Sequence, residues 1–204
     1  MLLEVFNGLK DSISFFNLFE YITFRSGISA IIALLISFTI GPWVIHILQK
    51  NQIGEEIRHT GPNSHMKKRG TPTMGGVIIL IAVLLPTLLF SDILSPFIQM
   101  ILFSTVWMGL IGFLDDYLKI IKKYKRGLIA RYKMAGQIML GCIISYWIYQ
   151  LPEYSIINTK TTVPFLKNAE IDLGTLYPLM VVIVITGTSN AVNLTDGLDG
   201  LASG

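Results

Sequence analysis

Five apolar blocks free of Asp, Glu, Lys and Arg run through this chain, and they leave few folds open. They occupy residues 26–48, 74–90, 97–114, 134–151 and 173–190. Crossing a bilayer as a helix takes roughly 17 to 25 predominantly apolar residues. Buried strands of an α/β protein rarely stay uncharged over such lengths. The blocks therefore predict an all-α polytopic membrane protein with five transmembrane helices in 204 residues, organised as a single membrane domain. Composition agrees, because 52% of residues are hydrophobic and 14% charged, against about 25% charge in a soluble domain. A disordered chain, a basic nucleic-acid surface and a disulfide scaffold are excluded as leading readings. The one cysteine, Cys142, lies inside an apolar block and reads as a small buried hydrophobe.

Orientation follows from the cations, since short loops rich in Lys and Arg stay on the cytoplasmic side. Segment 49–73 carries Lys50, Arg58, Lys67, Lys68 and Arg69, and segment 115–133 carries Lys119, Lys122, Lys123, Lys125, Arg126, Arg131 and Lys133. Only Lys10, Arg25, Lys160 and Lys167 fall on the other side. The N-terminus is expected outside and the C-terminus inside, with cytoplasmic segments 49–73, 115–133 and 191–204. The formal charge of +3 is then topology rather than an address for nucleic acid. Glu4, Asp11 and Glu20 argue against a signal peptide in residues 1–25. A short interfacial helix is expected around residues 14–19. No repeat of 20 to 50 residues and no low-complexity segment is visible.

The chemistry-bearing residues lie in the three cytoplasmic segments. In the first, Lys67, Lys68 and Arg69 precede Gly70, Thr71, Thr73, Gly75 and Gly76. A basic patch facing anionic headgroups would account for the cations. The sharper reading is a phosphate site, with backbone N–H groups and hydroxyls at the start of the second helix, whose dipole favours an anion. The Walker order is absent. His59 and His65 read as solvated residues or headgroup contacts rather than metal ligands.

The second segment opens with Asp115 and Asp116 at the end of the third block. Adjacent carboxylates at a helix C-terminus are unfavourable next to hydrocarbon and beside the negative dipole end. An ordinary pair with Lys119 explains one of them, four or three residues away. Two together point to a cation, a basic partner or base chemistry. The third segment holds Asn190, Asn193, Asp196 and Asp199, with two Asp-Gly steps. Turns would explain either step alone. Together they read as a polar binding rim, and the ensemble suits an anionic soluble substrate, a divalent cation and a phosphorylated lipid.

The runs Lys68–Gly76, Gly112–Asp116 and Asn190–Leu201, with the Gly127–Arg131 stretch, resemble phospho-N-acetylmuramoyl-pentapeptide transferase, the bacterial lipid I synthase family. The resemblance spans about residue 21 to the end. It implies that undecaprenyl phosphate attacks the sugar-linked phosphate of UDP-N-acetylmuramoyl-pentapeptide, releasing UMP and leaving lipid I in the bacterial cytoplasmic (inner) membrane. It implies Mg²⁺ as cofactor, Asp115 as base or positioning group, and Asp116 beside it as a catalytic carboxylate and metal ligand. Lys68 and Thr73 would meet the nucleotide, and Asn193, Asp196 and Asp199 its uridine and sugar end. Lys119 and Lys133 are candidates for the lipid phosphate on charge and position. A phosphate monoester with a second pKa near 6 is largely ionised at pH 7, so the reaction can dispense with a base. Membrane lipids are expected partners, a homodimer is left open, and nucleic acid is not expected.

The family has roughly ten membrane helices and places a further metal-binding Asp and a His-rich loop beyond the point matching Gly204. The 204-residue chain alone is accordingly expected to be inactive. Two other readings stay open, a transferase for another UDP-N-acetylhexosamine and a non-catalytic membrane remnant. Transport is disfavoured because the blocks carry no charge at mid-membrane, with His46 and Gln137 as weak exceptions.

Overall fold

The computed structural model describes residues 6, 8, 13–50, 75–120, 122, 124, 127–151, 159–163, 165, 166 and 169–195. The chain divides into two compact units, Met1–Leu128 and Ile129–Gly204. The first contains a 3-10 segment Ser14–Glu20 followed by α1 (Ile22–Lys50), α2 (Gly76–Phe90) and α3 (Pro96–Ile120). The second contains α4 (Ala130–Tyr149), strands β1 (Lys160–Thr162) and β2 (Glu170–Asp172), a 3-10 turn Gly174–Leu176 and α5 (Tyr177–Thr195).

All five apolar blocks are helical where described, with shifted ends. α1 begins at Ile22 rather than residue 26, and α3 runs on to Ile120 instead of stopping at 114. Hydrogen bonding along the backbone continues without regard to the apolar boundary, so the Asp pair lies inside a helix rather than after it. α5 starts at Tyr177, not at 173, because Leu173 and Gly174 are taken up by the preceding turn. A small antiparallel hairpin qualifies the all-α expectation, pairing Lys160 with Asp172, Thr161 with Ile171 and Thr162 with Glu170.

Among the described residues, three helical stretches are long and apolar enough to cross a membrane: Ile22–Leu48, Pro96–Lys119 and Gly174–Asn193. α2 has 15 residues, about 22 Å at 1.5 Å per residue, short of the hydrocarbon thickness. α4 carries Arg131, Lys133 and Gln137 in its first two turns, which shortens its apolar run.

Outward apolar side chains are the rule: Phe38 is 74% and Trp43 65% exposed, an arrangement suited to lipid contact. Several hydroxyls within the helices are satisfied by the preceding turn without water, which suits a bilayer. Ser37 donates to the Ala33 carbonyl at 2.9 Å, Thr105 to Ile101 at 2.8 Å and Thr186 to Val182 at 2.7 Å. Packing in each unit uses small residues where backbones approach, the device helices employ in lipid where burial gives little drive. A Cβ on Gly141 would lie 2.9 Å from the Val182 Cα, so α4 and α5 meet there almost backbone to backbone. Leu140, Ile144 and Ser145 are buried along the same seam. In the first unit Phe19 of the 3-10 segment is buried against Phe90 at the end of α2, rings parallel with centroids 6.2 Å apart.

The hairpin is closed at its base by Asp172. Its Oδ1 accepts the Thr159 hydroxyl at 2.6 Å and the Gly174 N–H at 2.9 Å. Those two bonds, the Thr159 one first, hold the Asp172 carboxyl below its ordinary value of 3.8, with Lys160 adding to the effect. A depressed carboxyl contributes stability that is complete above its unfolded value and is lost as pH falls through the lower folded value. Protonation should therefore loosen the hairpin only below pH 3.8. Asp172→Ala, which leaves no side-chain acceptor for either donor, should reproduce the loosening at neutral pH, read as faster amide exchange at Leu173 and Gly174. Unchanged exchange in that variant would refute the closure.

Candidate functional site

In the first unit the Asp pair divides its two carboxylates between separate tasks. Asp115 Oδ2 meets Lys119 Nζ at 2.8 Å, one helical turn on, and Oδ1 accepts the Leu128 N–H at 2.8 Å. The side chain thus ties the end of α3 to the chain returning 13 residues later. The α3 carbonyls are closed nearby, Tyr117 by the Lys122 N–H and Leu118 by the Tyr124 N–H. Gly127 makes the return possible, since its φ of +58° lies in the left-handed region. A Cβ there would sit 2.5 Å from Asp115 Oδ1 and 2.6 Å from Lys119 Cε. Lys119, expected to reach a lipid phosphate, is engaged by Asp115 in this arrangement.

Asp116 points another way. With Gly76, Val77, Leu80, Gly109, Gly112 and Phe113 it lines a cleft of about 280 Å³ between α2 and α3. Gly112 leaves open space where a side chain would stand, and Gly109 makes room for Leu80, whose Cδ1 would lie 2.7 Å from a Cβ at that position. The cleft is apolar apart from this carboxylate and the start of α2 at Gly76. Among the described residues no group of three or more His, Cys, Asp or Glu stands together as a metal site. Both oxygens of Asp115 accept N–H donors, and Asp116 is the other carboxylate at this end of α3. The described residues by themselves do not fit a Mg²⁺ site.

In the second unit, α4 and α5 run antiparallel and present a polar ladder at one end. Lys133 Nζ donates to Asn193 Oδ1 at 3.2 Å. One turn further along each helix, Gln137 Nε2 donates to Ser189 Oγ at 2.9 Å and Gln137 Oε1 accepts from Asn190 Nδ2 at 3.0 Å. Asn190 Nδ2 also reaches the Thr186 carbonyl at 2.8 Å. Interhelical hydrogen bonds of this kind are worth about 0.6 to 2 kcal/mol each in a membrane. Arg131 stacks over the Tyr132 ring at 5.3 Å.

Lys133 and Asn193, assigned from sequence to two different substrates, are therefore placed in contact. Lys68, Thr73, Asp196 and Asp199 lie outside the described residues, as do His59, His65 and the rest of 51–74. The buried Gln137 and its partly buried partner Ser189 were not anticipated as part of the site. Their signal was spacing: Lys133 with Gln137, and Ser189 with Asn193, each stand four apart and so share a helix face.

Known proteins bear on these residues directly. The phospho-N-acetylmuramoyl-pentapeptide-transferase signature 1 matches residues 68–80. The chain is 50% identical to the phospho-N-acetylmuramoyl-pentapeptide-transferase of Desulforapulum autotrophicum and 47% identical to that of Pelobacter propionicus, each over all 204 residues. The protein of the same name in Citrifermentans bemidjiense is 46% identical over the same span. In each case the match covers the whole chain and 56% of the relative, so the chain spans little more than half the length of these curated relatives. The family model of glycosyl transferase family 4 matches residues 98–204, which include the Asp pair, both helices of the polar ladder and the third motif. The chain belongs to glycosyl transferase family 4.

Proposed function

We propose that this protein transfers phospho-N-acetylmuramoyl-pentapeptide from its UDP donor to undecaprenyl phosphate, giving UMP and lipid I in the first membrane step of peptidoglycan synthesis. The observation that carries the reading is the 50% identity to a transferase of that name over all 204 residues. In this reading the five apolar helices belong to one membrane domain in the bacterial cytoplasmic membrane. The N-terminus lies outside, and segments 49–73, 115–133 and 191–204 face the cytoplasm. A second copy of the chain is a compatible partner.

The reaction exchanges one phosphoanhydride for another, so positioning and charge neutralisation matter more than covalent chemistry. The attacking phosphate is largely ionised at neutral pH. Asp115, with both oxygens committed to Lys119 and the Leu128 N–H, acts as an anchor in this scheme. Asp116 is the carboxylate that faces the reacting groups. Lys133 neutralises the lipid phosphate, and Asn193, in hydrogen-bond contact with it, orients the donor beside it. Lys68 and Thr73 contact the nucleotide, while Asp196 and Asp199 complete the rim. Mg²⁺ belongs to the same proposal through the family resemblance, with further ligands needed beyond Asp116, and no step is routed through it.

The test is UMP release by the protein expressed from its native reading frame, with undecaprenyl phosphate as acceptor. Release from UDP-N-acetylmuramoyl-pentapeptide is expected to exceed release from UDP-N-acetylglucosamine by at least about 100-fold, the discrimination expected where a site reads polar groups absent from the smaller donor. Equal release from both donors, or preference for the smaller one, would assign the protein to another sugar nucleotide.

A further inference from the structure

Gln137 is a polar side chain with no solvent exposure inside a chain of apolar helices, and the transfer scheme gives it no role. An unsatisfied amide there would be costly, yet both ends of this one are bonded, Nε2 to Ser189 and Oε1 to Asn190. Burial of an amide to fill space alone would be poorer than burial of leucine, which occupies the next position along the same seam, Leu140. What an amide adds is direction. Apolar contacts along α4 and α5 tolerate small rotations of one helix about its axis, whereas a donor and an acceptor on one side chain, each with its own partner on the facing helix, are satisfied together at one rotation.

The consequence appears one turn away. Lys133 precedes Gln137 by four residues, and Asn193 follows Ser189 by four, so the two rungs share one face of each helix. The rotation that satisfies Gln137 is the rotation that brings the Lys133 ammonium to the Asn193 carbonyl oxygen. The outer rung is open to solvent and carries a flexible lysine, so it cannot set this register for itself. The inner rung centres on Gln137, which has no solvent exposure, and meets short side chains on the facing helix.

We infer that Gln137 is a positioning residue, which locks the rotational register of α4 against α5 and thereby holds Lys133 and Asn193 as one composite site for the anionic groups of the two substrates. Its kinetic consequence rests on the transferase reading above, and its structural consequence does not. The pairing of a cation with an amide oxygen leaves the remaining ammonium protons and the Asn193 amide N–H groups available to phosphate oxygens on the same side.

Two measurements on the protein expressed from its native reading frame test this. The first reads register without activity. In a Cys142→Ser background, Lys133→Cys with Asn193→Cys should be joined efficiently by a short bis-maleimide, and adding Gln137→Leu should lower the yield several-fold. Ser189→Ala, which removes one of the two bonds and keeps the helix surface nearly intact, should lower it less and in the same direction. Equal yields in all three backgrounds overturn the inference. If Gln137→Leu does not accumulate in the membrane, the Ser189→Ala comparison decides alone.

The second is a double-mutant cycle on UMP release. Lys133→Ala should cost about tenfold in kcat in the parent and less than about twofold when Gln137→Leu is already present, because the lysine it removes is then misplaced. A merely structural role for Gln137 would reduce the amount of folded enzyme and leave the Lys133→Ala ratio unchanged, and that result also overturns the inference. Absence of turnover in the parent would count against the transferase reading and leave the cross-linking result to decide the register.

Discussion

Gly127→Ala is expected to destabilise the return from α3 by about 2 to 4 kcal/mol, since a left-handed residue bearing a Cβ costs roughly 1 to 2 and a hydrogen bond to a charged group about as much again. The two penalties have separate origins. The backbone at Gly127 stands at φ +58°, which disfavours any L side chain except Asn and Asp. The added methyl would also fall 2.5 Å from Asp115 Oδ1, an atom held on its other side by the Leu128 N–H. Lys119 can swing its Cε aside at little cost, but Asp115 cannot move without releasing the return. The variant should show a lower midpoint of thermal unfolding in detergent. Trypsin should cut it faster at Lys122 or its sequence neighbours Lys123, Lys125 and Arg126. Gly127→Asn tolerates the dihedral and keeps the collision, so it should recover only part of the loss. A midpoint for Gly127→Ala within a degree of the parent would show that Asp115 does not staple this segment.

Asp116→Asn should reduce UMP release by at least about 100-fold while leaving the fold intact, a loss typical of removing one charged group that acts on the transition state of a positioned reaction. The substitution keeps the size of the side chain, and Gly112 leaves the cleft roomy enough that no repacking is needed. Asp115→Asn should behave differently. Its Oδ1 can still accept the Leu128 N–H, so the return survives, while the ion pair with Lys119 at 2.8 Å is lost. An exposed i,i+4 pair of this kind is worth only about 0.3 to 0.5 kcal/mol. The two variants together separate a carboxylate facing the reacting groups from one that anchors the chain. Comparing kcat and unfolding midpoint for both is the measurement. A larger kcat loss in Asp115→Asn, with its midpoint unchanged, would reverse the assignment and make Asp115 the reacting carboxylate.

What could be read directly was whatever depends on local chemistry. Five uncharged blocks declared five helices, because a backbone in apolar surroundings must satisfy its own N–H and C=O groups, and a helix does so within the segment. The Asp pair, the run of cations after it and the Asn-rich third motif stood out as groups that apolar helices exclude. Helix ends were less legible. The apolar run stops at Leu114 while α3 continues to Ile120, since backbone hydrogen bonding and the Asp115–Lys119 pair carry the helix past the point where hydrophobicity ends. The hairpin escaped notice because its strands are three residues each, too short for an alternating pattern to register.

Only the tertiary structure decided which polar residues meet. Lys133 and Asn193 are 60 residues apart, and neither carries any local mark of the other. Gln137 looked like an isolated amide until Ser189 and Asn190 were found against both ends of its side chain. The division of labour within the Asp pair is of the same kind, since two neighbouring carboxylates have the same local sequence and differ only in what the fold sets before them. For Asp115 that is Lys119 and the backbone of Leu128; for Asp116 it is the cleft beside Gly112. Composition and periodicity report the solvent a segment needs, and that is a local property. Hydrogen-bond partners across helices are set by packing and rotation, which no segment specifies by itself.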